Sequence, residues 1–104
     1  MDKETYENLL KDNKVVVLQF MAEWCNPCKM ITPLLERACK EKAARLVQLD
    51  VENEDNIELA KMFNVRSLPY LVRFEEGKVT GTIKGFMGER YVNRFVEGNH
   101  EDAE

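Results

Sequence analysis

The chain has 104 residues, 44% of them hydrophobic and 33% charged, which fits one globular domain with a modest core and excludes a disordered chain. A formal net charge of −4 gives no basis for a nucleic-acid partner. No apolar run approaches the ~20 residues of a membrane span, and the charged opening Met1-Asp2-Lys3-Glu4-Thr5 lacks a signal-peptide core, so no membrane partner is expected and the expected compartment is the cytoplasm. In a reducing cytosol, three cysteines point to redox chemistry sooner than to structural disulfides.

Asp2 is placed to cap a short helix presenting Tyr6, Leu9 and Leu10 on one face, with Asn13 and Lys14 ending it. The apolar run 15–21 then predicts a buried strand. It leads into Trp24-Cys25-Asn26-Pro27-Cys28-Lys29, and an apolar-periodic segment over 31–44 predicts the helix that follows. The two cysteines therefore fall where a strand hands over to a helix, in the helix's first turn. Free backbone N–H groups and the helix dipole stabilise negative charge there, which favours a thiolate at Cys25. Pro27 suits a first helical turn because it has no N–H to leave unpaired, and Lys29 adds a nearby positive charge.

This C-x-x-C admits three readings. A zinc site normally takes four ligands, whereas the chain offers three cysteines and one histidine, and His100 sits in a polar tail. Two cysteines that merely pack would not explain the strand-to-helix context. A dithiol that cycles to a disulfide does explain it.

Along the predicted helix, Cys28, Ile31, Leu35, Ala38 and Cys39 share one face. Cys39 lies nearly three turns beyond Cys28, ~16 Å at the helical rise, too far for a disulfide. It reads as a small buried hydrophobe. Residues 46–51 predict a second strand, and Asn53 or Asp55 a cap for a helix with Leu59, Ala60 and Phe63 inward. A loop over 64–67 delivers Leu68-Pro69. Residues 70–74 and 78–84 form a hairpin around Glu75-Glu76-Gly77, its second strand an edge guarded by Lys78 and Lys84, with Gly81 marking a bulge. Gly88 opens a last helix with Tyr91, Val92, Phe95 and Val96 inward, Gly98 stops it, and the tail 99–104 is expected to fray. The resulting β-α-β-α-β-β-α alternation is an α/β fold: a mixed four-stranded sheet with helices on both faces, whose first connection is a right-handed crossover.

The segment Phe20-Met21-Ala22-Glu23-Trp24-Cys25-Asn26-Pro27-Cys28-Lys29-Met30 strongly resembles the active-site region of thioredoxins, whose usual pair between the cysteines is Gly-Pro. Pro33, Leu68-Pro69 and Gly85 match further family landmarks: a proline within the helix, a cis-proline and a glycine bordering the substrate groove. The resemblance covers nearly the whole chain and implies a thioredoxin-like fold. It implies Cys25 as an exposed nucleophile and Cys28 as the resolving cysteine of a protein-disulfide reductase. Disulfide-containing target proteins and a thioredoxin reductase are the implied partners, with no bound cofactor or metal. Trp24, Asn26, Pro27, Leu68, Pro69, Gly85 and Phe86 would line the substrate groove, with the Leu68 backbone pairing to an extended target segment.

The chain departs from the family in several places. The family's first strand is absent, so the strand 46–51 should be an open sheet edge guarded by Arg45, Asp50 and Glu52, and a monomer is expected. Tyr70 replaces a small hydroxyl residue and would narrow the groove. Gln19 stands where the family has a buried aspartate assigned as a base, and Gln48 where it often has a lysine. A Gln amide hydrogen-bonds but cannot take a proton at neutral pH. Glu23 is the nearest acid in sequence and reads as solvated. Three other functions stay open on the sequence: a glutaredoxin-like reductase using glutathione, a non-catalytic binding module, and an iron–sulfur or zinc carrier bridging two chains through Cys25 and Cys28.

Overall fold

The computed structural model describes residues 1–86 and 88–98; the expected fraying of 99–104, and His100 with it, falls outside the described residues. Helix α1 (Lys3–Asp12) starts at Asp2, whose carboxylate accepts the Thr5 N–H at 2.8 Å. Asn13 ends it, donating its side-chain N–H to the Leu9 carbonyl at 2.9 Å. Strand β1 (Val15–Met21) is buried on both faces, as a run apolar at every position but Gln19 implies. Helix α2 (Asn26–Glu41), strand β2 (Arg45–Asp50), a 3₁₀ turn (Glu54–Asn56) running into α3 (Ile57–Met62), strands β3 (Tyr70–Glu75) and β4 (Lys78–Lys84), and α4 (Glu89–Glu97) follow.

The four strands lie in the order β2-β1-β3-β4, with β1 and β2 parallel and the other pairs antiparallel. Alternation along β1 sends Val16, Leu18 and Phe20 to one face and Val17 to the other. The first face packs under α1 and α3 through Tyr6, Leu9, Leu10, Leu59 and Phe63. The second packs under α2 and α4 through Ile31, Leu35, Ala38, Cys39, Val92, Phe95 and Val96. The expected architecture, a mixed four-stranded sheet with helices on both faces, is the one observed. Cys39 is buried, as its place on the inward face of α2 implies.

Several boundaries differ from the sequence expectation for local reasons. The helix after the cysteines ends at Glu41, three residues before the apolar periodicity does. Ala43 adopts a left-handed φ of 57°, and the Ala44 N–H returns to the Cys39 carbonyl at 2.9 Å, closing the helix with a residue that has no glycine signature. Asn53 caps the 3₁₀ turn by accepting the Asp55 N–H at 2.9 Å, so Asp55 is not the cap. Tyr91 is only half-buried, while Val92, Phe95 and Val96 are enclosed. The hairpin does carry a bulge: Arg73 faces Gly81 and Phe74 faces Val79, leaving Thr80 as the extra residue. Strands β2 and β4 are the two sheet edges, and among the described residues no strand covers the outer side of β2.

Candidate active site

The cysteine pair, Leu68-Pro69 and Gly85 gather at the carboxyl end of β1. Val51 N–H bonds the Met21 carbonyl at 2.9 Å, so the chain after β2 stays beside the link from β1 to α2. Tyr70 opposes Phe20 on one side and Lys84 on the other, which puts Pro69 and Gly85 at that same end. The Gly85 N–H donates to the Pro69 carbonyl at 2.8 Å. The Leu68-Pro69 peptide is cis.

The link itself is short. Cys25 N–H bonds the Ala22 carbonyl at 3.1 Å, a turn that leaves Glu23 and Trp24 exposed and brings Cys25 to the N-cap of α2. Asn26 and Pro27 are the first two helical residues, and Pro27 stands where no intrahelical N–H partner exists. Cys25 and Cys28 form a disulfide across 5.3 Å between Cα atoms, inside the usual range. The Cys25 sulfur also accepts the Cys28 backbone N–H at 3.2 Å. On reduction, that N–H and the helix dipole act on the Cys25 sulfur and favour its thiolate. Lys29 is exposed just beyond.

Two expectations change here. Cys25 is not openly exposed in the disulfide form: it is 4% accessible, against 0% for Cys28. The order of exposure holds, but both cysteines are buried. Tyr70 does not narrow a groove. It turns into the core at 8% accessibility and packs edge-on against Phe20 at 6.2 Å between ring centroids. Trp24, at 64%, and Phe86, at 38%, are exposed apolar surface, Leu68 is half-buried and Pro69 is buried.

Behind the disulfide lies a neutral polar cluster. Gln19 is fully enclosed and pairs in register with Gln48 across the parallel strands. The Gln48 amide donates to the Gln19 side-chain oxygen at 3.1 Å. Both amides donate to the Thr32 hydroxyl, Gln19 at 2.9 Å and Gln48 at 3.3 Å, and that hydroxyl donates to the Cys28 carbonyl at 2.8 Å. The structure thus brings the two glutamines together and joins them to Cys28, through a threonine that sequence reasoning misses. Thr32 gives no local signal, because a helical threonine ordinarily bonds its own preceding turn. Glu52, which the sequence marks only as an edge guard, has a second role: its carboxylate accepts the Trp24 indole N–H at 2.7 Å.

Among the described residues no group of three or more His, Cys, Asp or Glu side chains is placed to hold a metal ion, and no helix is long and apolar enough to cross a membrane.

The thioredoxin family model matches residues 1–98. The chain is 30% identical over 98 residues to the thioredoxin of Rickettsia bellii, covering 94% of this chain and 93% of that one. It is 38% identical over 82 residues to a thioredoxin of Mycobacterium tuberculosis, covering 79% of this chain and 71% of the relative. Among solved structures, a mutant thioredoxin from Halobacterium salinarum superposes with a TM-score of 0.85 at 30% identity, covering 97% of this chain and 88% of that one. Oxidized mitochondrial thioredoxin 3 from Saccharomyces cerevisiae gives 0.79 at 29% identity, covering 90% and 87%. With its Cys25–Cys28 disulfide at the head of α2, the chain belongs to the thioredoxin family of protein-disulfide reductases.

Proposed function

We propose that Cys25 is the nucleophile and Cys28 the resolving cysteine of a cycle that reduces disulfides in target proteins. The Cys25 thiolate attacks a target disulfide, forming a Cys25–target bond and expelling one target sulfur, which takes a proton. The Cys28 thiolate then attacks the Cys25 sulfur; the Cys25–Cys28 bond forms and the second target sulfur leaves with its electron pair and is protonated. Two electrons pass from the dithiol to the target. A separate thioredoxin reductase returns them, and no bound cofactor takes part.

The observation that carries this reading is the asymmetry of the pair. Cys25 is the N-cap, with an N–H aimed at its sulfur, while Cys28 is wholly enclosed one turn in. Trp24, Asn26, Pro27, Leu68, Pro69, Gly85 and Phe86 are the proposed substrate groove. Its support is the exposed apolar surface of Trp24 and Phe86 and the convergence of Pro69 and Gly85 on the same end of the sheet. Lys29, Gln19 and Gln48 are the proposed tuning groups. We read residues 1–104 as a single domain that acts as a monomer in the cytoplasm, carrying electrons from reductase to targets in cell redox homeostasis. Insulin reduction with a thioredoxin reductase tests the assignment: Cys25→Ser should abolish it. Cys28→Ser should instead accumulate mixed disulfides with targets from an extract. Wild-type protein no more active than Cys25→Ser would leave a non-catalytic binding module as the better reading, and activity surviving in Cys25→Ser would overturn Cys25 as the nucleophile.

A further inference from the structure

We propose that Thr32 is a positioning residue for the resolving sulfur: clamped by the Gln19 and Gln48 amides, its hydroxyl ties the turn of α2 that carries Cys28 to strands β1 and β2. The proposal rests on the assignment of Cys28 as the resolving cysteine and deepens it.

The need for such a tie is local. Pro33 lies inside α2 and has no N–H, so the Lys29 carbonyl one turn back gets no donor from it. The residue before a proline is disfavoured in the α conformation, and here that residue is Thr32. The helix is therefore least self-supporting over the turn from Cys28 to Thr32. A hydroxyl has two acceptor positions and one proton. At Thr32 the acceptors are taken by Gln19 at 2.9 Å and Gln48 at 3.3 Å, and the proton goes to the Cys28 carbonyl at 2.8 Å. With both lone pairs engaged from the sheet, the hydroxyl has one direction left for its proton. The Gln19 amide reinforces the tie by reaching the same Cys28 carbonyl at 3.5 Å. Gln19 is itself held by Gln48 at 3.1 Å. An unsupported threonine would bond its preceding turn and move with it; this one is anchored on two strands.

In the resolving step the Cys28 sulfur must meet the Cys25 sulfur in line with the Cys25–target bond. That bond breaks as the Cys25–Cys28 bond forms; the departing target sulfur is protonated, and the Cys28 proton goes to solvent. Thr32, Gln19 and Gln48 neither gain nor lose a proton. Their contribution is placement, and small displacements of a reacting group reduce rate steeply.

A symmetrical nitroaryl disulfide with a coloured thiolate separates the two steps. The first thiolate released reports Cys25 attack and the second reports Cys28 attack. In Thr32→Val, which keeps the shape and removes the hydroxyl, the second release should slow about tenfold while the first is unchanged. A tenfold effect corresponds to about 1.4 kcal/mol, the scale of one hydrogen bond. The factor should be the same at low and high pH, since no group in the cluster ionises, and Thr32→Ser should restore the rate. Gln48→Ala, at an exposed position, should slow the second release in the same direction. Unchanged second release in Thr32→Val, or equal slowing of both releases without rescue by Ser, overturns the positioning role. Cys28→Ser controls the parent assignment. A persistent mixed disulfide there, with unchanged Thr32→Val, overturns the proposal alone, whereas a second release in Cys28→Ser at the wild-type rate overturns both.

Discussion

The Trp24 indole N–H donates to the Glu52 carboxylate at 2.7 Å, joining the residue before Cys25 to the turn that leaves β2. Glu52 is itself fixed, because its backbone N–H bonds the Asp50 side chain at 2.9 Å. A large exposed indole beside the disulfide is thus held in one direction rather than left to sweep the surface. Glu52→Ala should free it. The chain's single tryptophan makes the readout clean: fluorescence anisotropy should fall. Turnover on a protein disulfide should drop about two- to tenfold, the range for one net hydrogen bond at about 0.5–1.5 kcal/mol. Unchanged anisotropy in Glu52→Ala would show that the bond does not restrain the indole.

Cys39 gives a stability effect at high pH. Burial pushes its thiol up to about 11, with the Arg73 guanidinium pulling weakly the other way. The unfolded thiol titrates near 9. Between those values the unfolded chain loses this proton before the folded one, so stability is intact below pH 9 and falls as pH rises through 11. The loss is on the order of 2–3 kcal/mol. Denaturant unfolding of the oxidised protein should show it, and Cys39→Ala should remove that part of the slope. Cys39→Ala should also cost about 1–2 kcal/mol at neutral pH as a core truncation. A parallel decline in both proteins above pH 9 would assign the loss to other groups.

How far the sequence could be read depends on where each signal lies. Strand β1 is bounded correctly because its run is apolar at every position but Gln19, and α4 ends where Gly98 says it should. The end of α2 is missed because Ala43 takes the left-handed position that glycine usually marks. The cysteine pair is legible from its spacing and its place between a strand and a helix. The Gln19–Gln48 pair is legible only through a family resemblance, since nothing in either local sequence announces the other. Thr32 and Glu52 are invisible for the same physical reason. Thr32's partners lie on two strands and Glu52's partner, Trp24, in the link after β1; the β1–β2 register, with Gln19 opposite Gln48 and Met21 opposite Asp50, brings both sets within reach.

Gly98 closes α4 at a φ of +87°, and the reason is more than the turn. A Cβ there would stand 3.0 Å from the Arg73 guanidinium. That guanidinium is buried and committed, bonding the Val96 carbonyl at 3.0 Å, Glu75 at 3.0 Å and Thr80 at 2.8 Å. It cannot move aside without leaving a buried charge less satisfied. Gly98→Ala should therefore cost about 2 kcal/mol or more, strain and displacement together. The denaturant midpoint should fall with its slope unchanged. A shift below about 0.5 kcal/mol would mean that the Arg73 cluster yields freely.

Gln19 is where replacement with the family's residue is most informative. Its side chain is fully enclosed, bonded to Gln48, Thr32 and the Cys28 carbonyl, and nowhere in that cluster is there a carboxylate. The resolving step must then draw its Cys28 thiolate from the solvent equilibrium. Its rate should climb with pH up to the thiol's own titration, with no second titration from a buried acid. Gln19→Asp installs a base close to the Cys28 turn, and release of the second thiol should quicken near pH 7. The same carboxylate must be desolvated, and Gln48 brings no charge to meet it, so stability should fall by about 2 kcal/mol or more. Burial should also raise the pKa of the new acid, giving the pH profile the extra titration that the wild type lacks. Adding Gln48→Lys supplies an opposite charge across the Gln19–Gln48 register. In a double-mutant cycle it should recover much of the lost stability and lower the new titration. Stopped-flow decay of the mixed disulfide reads the rate, and denaturant unfolding reads the cost. If Gln19→Asp leaves the decay unchanged while Cys28→Ser still abolishes it, deprotonation of Cys28 does not limit resolution and the neutral cluster is no handicap to be relieved.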